Sequence, residues 1–190
     1  MAVIISNLIG IILGLVSGYY GGYLDKIIVW IINVFWSIPT LLLVIALSLV
    51  LGKGFWQVYI AIGLSIWVDV ARLVRGKVMS EKNKDYVFAS KVLGYGDFKI
   101  LLNNILPNIL APILILSAAN FASSILLESG LSFLGIGSQP PTPSWGYMIK
   151  ENYQYIIFGN SYLIVIPSIF LISLVLSFYY LSNFFASKNI

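Results

Sequence analysis

Five apolar stretches of roughly bilayer length leave this chain few ways to fold in water. They run over residues 2–20, 27–51, 55–70, 100–127 and 162–181. The first, as a helix, is about 28 Å long against a hydrocarbon core of about 30 Å. Of the 190 residues, 59% are hydrophobic and only 9% charged, whereas a soluble globular domain carries about 25% charged residues. The expectation is an all-α protein, a polytopic transmembrane helical bundle of about five spans, with one short helix outside the bilayer.

That short helix belongs to the single long polar interval, which begins at Arg72 and ends at Pro107. Seven of the 11 basic residues sit there (Arg72, Arg75, Lys77, Lys82, Lys84, Lys91, Lys99), beside three of the seven acids (Glu81, Asp85, Asp97). Residues 72–99 are therefore expected to form a water-exposed loop. Ser80 is placed to cap a helix with Glu81 in its first turn, Lys91 in its last and Gly94 just past its end, so its charges oppose the helix dipole. Tyr86, Ala89, Ser90 and Leu93 recur on one face of it. Such a face suits a groove on another protein, or it packs back on the chain's own helix ends.

The spans carry further marks. The start of the chain lacks the basic flank and cleavage site of a signal peptide. Pro39 predicts a kink or tilt in the second stretch. Asp69 stands one turn from Arg72 and can pair with it. Pro107 and Pro112 fit a broken opening turn of the fourth stretch better than a straight helix. If five spans alternate, Lys26, the seven central basic residues and Lys188 share one side, nine in all, against Lys53 and Lys150 on the other. The richer side is expected to be cytoplasmic. That puts the C-terminus inside, and Met1 and an outer loop over residues 129–155 outside.

On the fourth stretch Ser117, Asn120, Ser124 and Glu128 line up as one polar stripe. A carboxylate within hydrocarbon costs about 2.5–3.5 kcal/mol, so Glu128 is expected to face protein or water. The stripe is either a translocation path or a set of bonds between helices.

Several chemistries are excluded or disfavoured. The chain has no cysteine and no histidine, which removes disulfides, thiol chemistry and imidazole or thiolate metal ligands. No catalytic set, metal site or cofactor is expected. Metalloprotease and serine-hydrolase motifs are absent, and no Asp pair lies within the spans, although carboxylates meeting in three dimensions keep an intramembrane enzyme open as a class. Nor does the sequence carry a channel filter. The net charge of +4 is explained by basic residues beside spans rather than by nucleic acid. A purely structural membrane partner is the remaining class.

Two motifs carry a resemblance. In residues 85–108, Phe88-Ala89-Ser90, Gly94 and Leu106-Pro107 are similar to the cytoplasmic signature loop of ABC-importer membrane subunits: Glu-Ala-Ala, three residues, Gly, nine residues, Ile-x-Leu-Pro. Phe88, Ser90 and Asn104 depart from it, standing where that pattern has Glu, Ala and Ile. The stretch Leu127–Ile149, with its Gln-Pro-Pro-Thr-Pro-Ser-Trp-Gly run, resembles permeases of the dipeptide, oligopeptide and nickel group, as do Gly18–Asp25 and Ala71–Gly76.

The resemblance implies one permease domain over residues 1–190, in a bacterial cytoplasmic membrane. It would work with a second permease subunit, two ATP-binding subunits and an extracytoplasmic solute-binding protein, importing peptides, or nickel, by alternating access. ATP would be hydrolysed on another subunit, since Arg75-Gly-Lys-Val78 lacks the phosphate-loop hydroxyl and upstream glycine. Tyr86, Ala89, Ser90, Leu93 and Gly94 would contact the ATPase, and Ser117, Asn120, Ser124 and Glu128 would line the path. The family's usual first span is missing from the match, so a shortened chain, functional or not, is a further expectation.

Overall fold

The computed structural model describes residues 1–52 and 54–188. Lys53, one of the charges in the orientation count, lies outside the described residues. All regular structure among them is helical.

The frame is a parallel pair, α1 (Ala2–Tyr20) and α4 (Phe55–Glu81). Gly10, Gly14 and Gly18 on α1 face Val70, Val74 and Val78 on α4. A Cβ added at Gly10 or Gly14 would lie 2.6 Å from the Val70 or Val74 Cβ and 2.8 Å from a backbone carbonyl. At Gly18 it would lie 2.8 Å from the Arg75 carbonyl. Lipid tails are as apolar as side chains, so helices in a bilayer associate through close packing rather than by escaping water. Three glycines four residues apart form a groove that stiff β-branched valines fill.

Helix α2 (Gly22–Trp36) returns beside this pair, with Ile28 and Ile32 packed on Trp67, Val68 and Ala71. The expected kink at Pro39 is far sharper: α2 and α3 (Thr40–Leu51) meet at 92°. Ile38 is held out of helical geometry by the proline ring behind it, and the Ser37 hydroxyl donates to the Val34 carbonyl at 2.8 Å, closing α2 before the bend. Beyond it, Val44 is buried with Val58, Ala61 and Ile62 of α4.

The polar interval is more helical than expected. At 27 residues, about 40 Å, α4 outruns the bilayer core. Its apolar register continues through Val74 and Val78 to Glu81, so Ser80 lies in its last turn and caps nothing. The extramembrane helix α5 (Asp85–Val92) begins after Lys84 instead. The single turn α6 (Asp97–Lys99), a π-helical segment (Ile100–Ile105) and α7 (Leu106–Leu134) then form one continuous helix. The prolines therefore do not break the chain there. Pro107 has no N–H for the carbonyl four residues back, and the ladder before it widens to i+5 bonds such as Leu106 N–H to Leu101 O.

The predicted outer loop is likewise partly helical, through the last turns of α7 and α8 (Trp145–Asn152). A 3₁₀ turn (Tyr153–Ile156) leads to α9 (Tyr162–Lys188). This last helix lies against α7, with Phe178 stacked on Phe121 at 5.2 Å and the Ser182 hydroxyl donating to Ile115 O at 2.9 Å. Among the described residues four helices are long and apolar enough to cross a membrane, and the bent α2–α3 pair makes a fifth if counted as one span. The chain is a multi-pass membrane protein.

The glycine groove gives a first prediction. Gly14→Leu should drive α1 off α4 and lower stability in detergent by about 1–3 kcal/mol, read as an earlier unfolding midpoint. Gly76→Ala, where an added Cβ meets nothing within 4 Å, should leave the midpoint in place. Equal midpoints for both variants would contradict close packing at the groove.

Candidate functional site

The candidate site residues gather near the two ends of α7. At the basic end, polar contacts hold α5 on the helix ends and brace it internally. The Tyr86 hydroxyl donates to Glu81 at 2.7 Å, and Lys84 pairs with the same carboxylate at 2.7 Å. Asn104 Nδ2 donates to the Ser90 hydroxyl at 2.7 Å, and Ser90 donates to the Tyr86 carbonyl at 2.8 Å. Val87 is fully buried with Val78 and Ile100. Burial, then the bond to Glu81, pushes the Tyr86 phenol above its ordinary pKa.

The helix ends as its sequence predicts. Gly94, at φ 79°, lets Tyr95 N–H reach Ser90 O and its own N–H reach Lys91 O, the paired bonds of a glycine-terminated helix. Neighbouring contacts brace the platform: Tyr19 donates to Asp97 at 2.7 Å, and Arg75 holds Asp25 through Nε at 2.6 Å and a second nitrogen at 2.7 Å, with Ser17 bonded to the same carboxylate. Arg72 does not pair with Asp69. Its guanidinium donates to Asn33 at 2.8 Å and lies 4.0 Å from the Trp36 ring centre.

The predicted docking face is thus split. Tyr86 and Ser90 turn inward and hold the helix, because each finds a polar partner on α4 or the π segment. Ala89, Leu93 and Gly94 remain outward. The outward apolar surface is completed by residues the periodicity did not single out: Phe88, and Val92 at 88% exposure, against 72% for Leu93. Phe98 and Tyr95 extend it.

The polar stripe of α7 is split in the same way. Ser117 accepts a bond from Asn7 of α1 at 2.8 Å and donates to Ile113 O, so it ties helices together. Asn120 is buried, with its Nδ2 lacking a partner among the described residues. Ser124 and Glu128 instead line a cavity of about 470 Å³ at the opposite end, with Tyr59 of α4, and Ser144, Trp145 and Met148 before and along α8. Glu128 Oε1 accepts from the Ser132 hydroxyl at 2.8 Å, and Ser132 in turn accepts from Ser138 N–H at 3.1 Å. The proline-rich motif supplies one wall of this cavity through Pro143, Ser144 and Trp145: α7 ends at Gly135, φ 82°, and Gly146 sits against the Ser129 backbone, bringing α8 down onto α7.

Residues 10–189 match the family described as the binding-protein-dependent transport system inner membrane component. The chain belongs to this family. Among relatives of this transport component, it is 40% identical over 171 residues to the dipeptide transport system permease protein DppC of Bacillus subtilis, covering 90% of this chain and 53% of that protein. It is 41% identical to DppC of Haemophilus influenzae, covering 93% and 59%, and 39% identical to the oligopeptide permease OppC of B. subtilis, covering 79% and 49%. The chain thus spans about half the length of the curated relatives it matches. A chain of the MetNI methionine ABC transporter in an inward-facing conformation superposes with a TM-score of 0.72 at 18% identity, covering 96% of this chain and 88% of that one. At that identity the likeness shows a shared fold.

Within this transport component, two of the three departures from the signature loop meet each other. Ser90 stands for Ala and Asn104 for Ile, and their side chains form the 2.7 Å bond that closes α5 onto the π segment. Ser90→Ala alone should strand the Asn104 amide and raise amide exchange across residues 85–92 by about fivefold, for about 1 kcal/mol. Asn104→Ile alone should act similarly. The double variant should lie near wild type, since both polar groups leave together. Strictly additive effects in the double variant would show that the bond carries nothing.

Proposed function

We propose that this chain is a permease subunit of an ATP-driven importer that moves di- or oligopeptides across the cytoplasmic membrane by alternating access. The observation that carries this reading is the identity of about 40% to dipeptide permeases across nine-tenths of the chain. The partners are a second permease, two ATP-binding subunits that hydrolyse the nucleotide, and an extracytoplasmic solute-binding protein. The basic end faces the cytoplasm, in line with the excess of lysine and arginine there, so the C-terminus is inside and the cavity opens outward.

On this reading the ATP-binding subunit takes α5 in a groove. Ala89, Leu93 and Gly94 meet it together with Phe88 and Val92, while Tyr86 and Ser90 hold α5 to the spans. Closure of the ATPases displaces α5, and the Ser90–Asn104 bond and Val87 pass the displacement to α7. The upper stripe, Ser124 and Glu128, then borders the path, and Ser117 and Asn120 keep the helices in register below it.

The test is solute uptake in cells deleted for this gene and supplied with it again. Restored uptake of labelled tri-alanine, with nickel accumulation unchanged, is the expected result. Restored nickel accumulation without peptide uptake would assign the alternative solute instead. Val92→Asp should reach the membrane in normal amount and lose at least tenfold of the restored uptake; full uptake in that variant would remove α5 from the ATPase contact.

A further inference from the structure

We infer that the cavity at the outer end of α7 is a subsite for an ammonium group, and specifically for the free amino end of a peptide; the peptide part rests on the function proposed above. At about 470 Å³ the cavity is in the size range of small-molecule pockets. Glu128 is the one acidic residue of its lining, to which the first residues of the chain, Met1 to Val3, also contribute. Among the described residues no lysine, arginine or amino terminus lies within ion-pair distance of the Glu128 carboxylate. Lys150, a described cation of this end, sits over Gly135 instead. A single hydroxyl bond from Ser132 leaves acceptor positions of this half-buried carboxylate open, and an entering cation would fill them.

A second observation points to a ligand. The Ser144 hydroxyl lines the same cavity, is more than nine-tenths buried and has no hydrogen-bond partner among the described residues. Buried hydroxyls are ordinarily satisfied. An ammonium held at Glu128 would place the next amide of a peptide within the cavity, where Ser144 and Ser124 offer bonds to it. Tyr59 and Trp145 accept a cation as readily as an apolar side chain, and Met148 adapts to side chains of different shape. A bare divalent ion would need several oxygen ligands, and no group of three acidic side chains converges among the described residues. An anionic group would meet Glu128 unfavourably.

The chain has no cysteine, so one placed at Ser124 is the single thiol of this subunit, and labelling is read on this subunit after separation. In membranes holding the assembled transporter, the Ser124→Cys variant should react faster with 2-aminoethyl methanethiosulfonate than with its 2-sulfonatoethyl counterpart, each rate normalised to a small thiol. Adding Glu128→Gln should collapse that ratio by about tenfold or more. Met148→Cys, on the facing wall and 43% exposed, repeats the measurement if Ser124→Cys fails to insert. Equal normalised rates, or a preference that survives Glu128→Gln, would overturn the subsite.

Protection then identifies the ligand. Tri-alanine should slow labelling and N-acetyl-tri-alanine amide should not. Equal protection by both overturns ammonium recognition, protection by nickel alone assigns a metal, and protection by an acetylated lysine peptide equal to that by tri-alanine moves the group from the peptide end to a side chain. Tri-alanine uptake by the same wild-type transporter separates the two failures. Its absence would overturn the proposed function, while the reagent ratio would still decide for or against the ammonium subsite.

Discussion

The close contact between α1 and α4 is the constraint on which the rest of the structure depends. Two helices that run parallel cannot be joined by a short turn, so the chain must travel back between them, and the bent α2–α3 pair is that return. The contact is fixed to within a few tenths of an ångström, because each glycine of α1 would place an added Cβ at 2.6–2.8 Å from α4. The lower end of the same interlock, at Gly18 and Val78, fixes the position of the last turns of α4. That position in turn sets the Glu81 carboxylate that Tyr86 and Lys84 share, and so the seat of α5.

Packed against both helices is α7, which joins the two candidate regions as one helix. Asn104 at its π-helical foot holds α5, and Glu128 near its top faces the cavity, within one unbroken helix of 38 residues. A helix is stiff along its axis, so a displacement at the foot is not absorbed on the way up. The soft places are the π segment itself and Pro112, which removes a further ladder bond. The segment's i+5 bonds are a register choice forced by Pro107, and a helix with a misfit turn is where a small rotation costs least.

Much of this was legible from residue order. Apolar length found the spans, and spacing found both Gly94 as the end of α5 and the grouping of Ser124 with Glu128. What periodicity did not resolve was which side of α5 faces outward. Tyr86 and Ser90 share a face with Ala89 and Leu93, and only the positions of Glu81 and Asn104, on elements brought up from elsewhere, turn the first two inward. The glycine groove was available as a four-residue repeat in α1, but its partner is 60 positions away and nothing local names it. The 92° bend was understated for a related reason. Pro39 announces a break, while the angle is decided by where Ile32 and Val44 find buried sites on α4.

If the chain works in the ATP-driven assembly proposed above, an interlock this close predicts that α1 and α4 move as one body in every nucleotide state. The most direct test is the spin-label distance between Ile12→Cys on α1 and Met79→Cys on α4, both exposed, in the assembled transporter without nucleotide and with ATP bound. One narrow distance distribution, the same in both states, is the expected result. A second distance appearing only with ATP would show that the helices part during the cycle and would contradict the single-body frame.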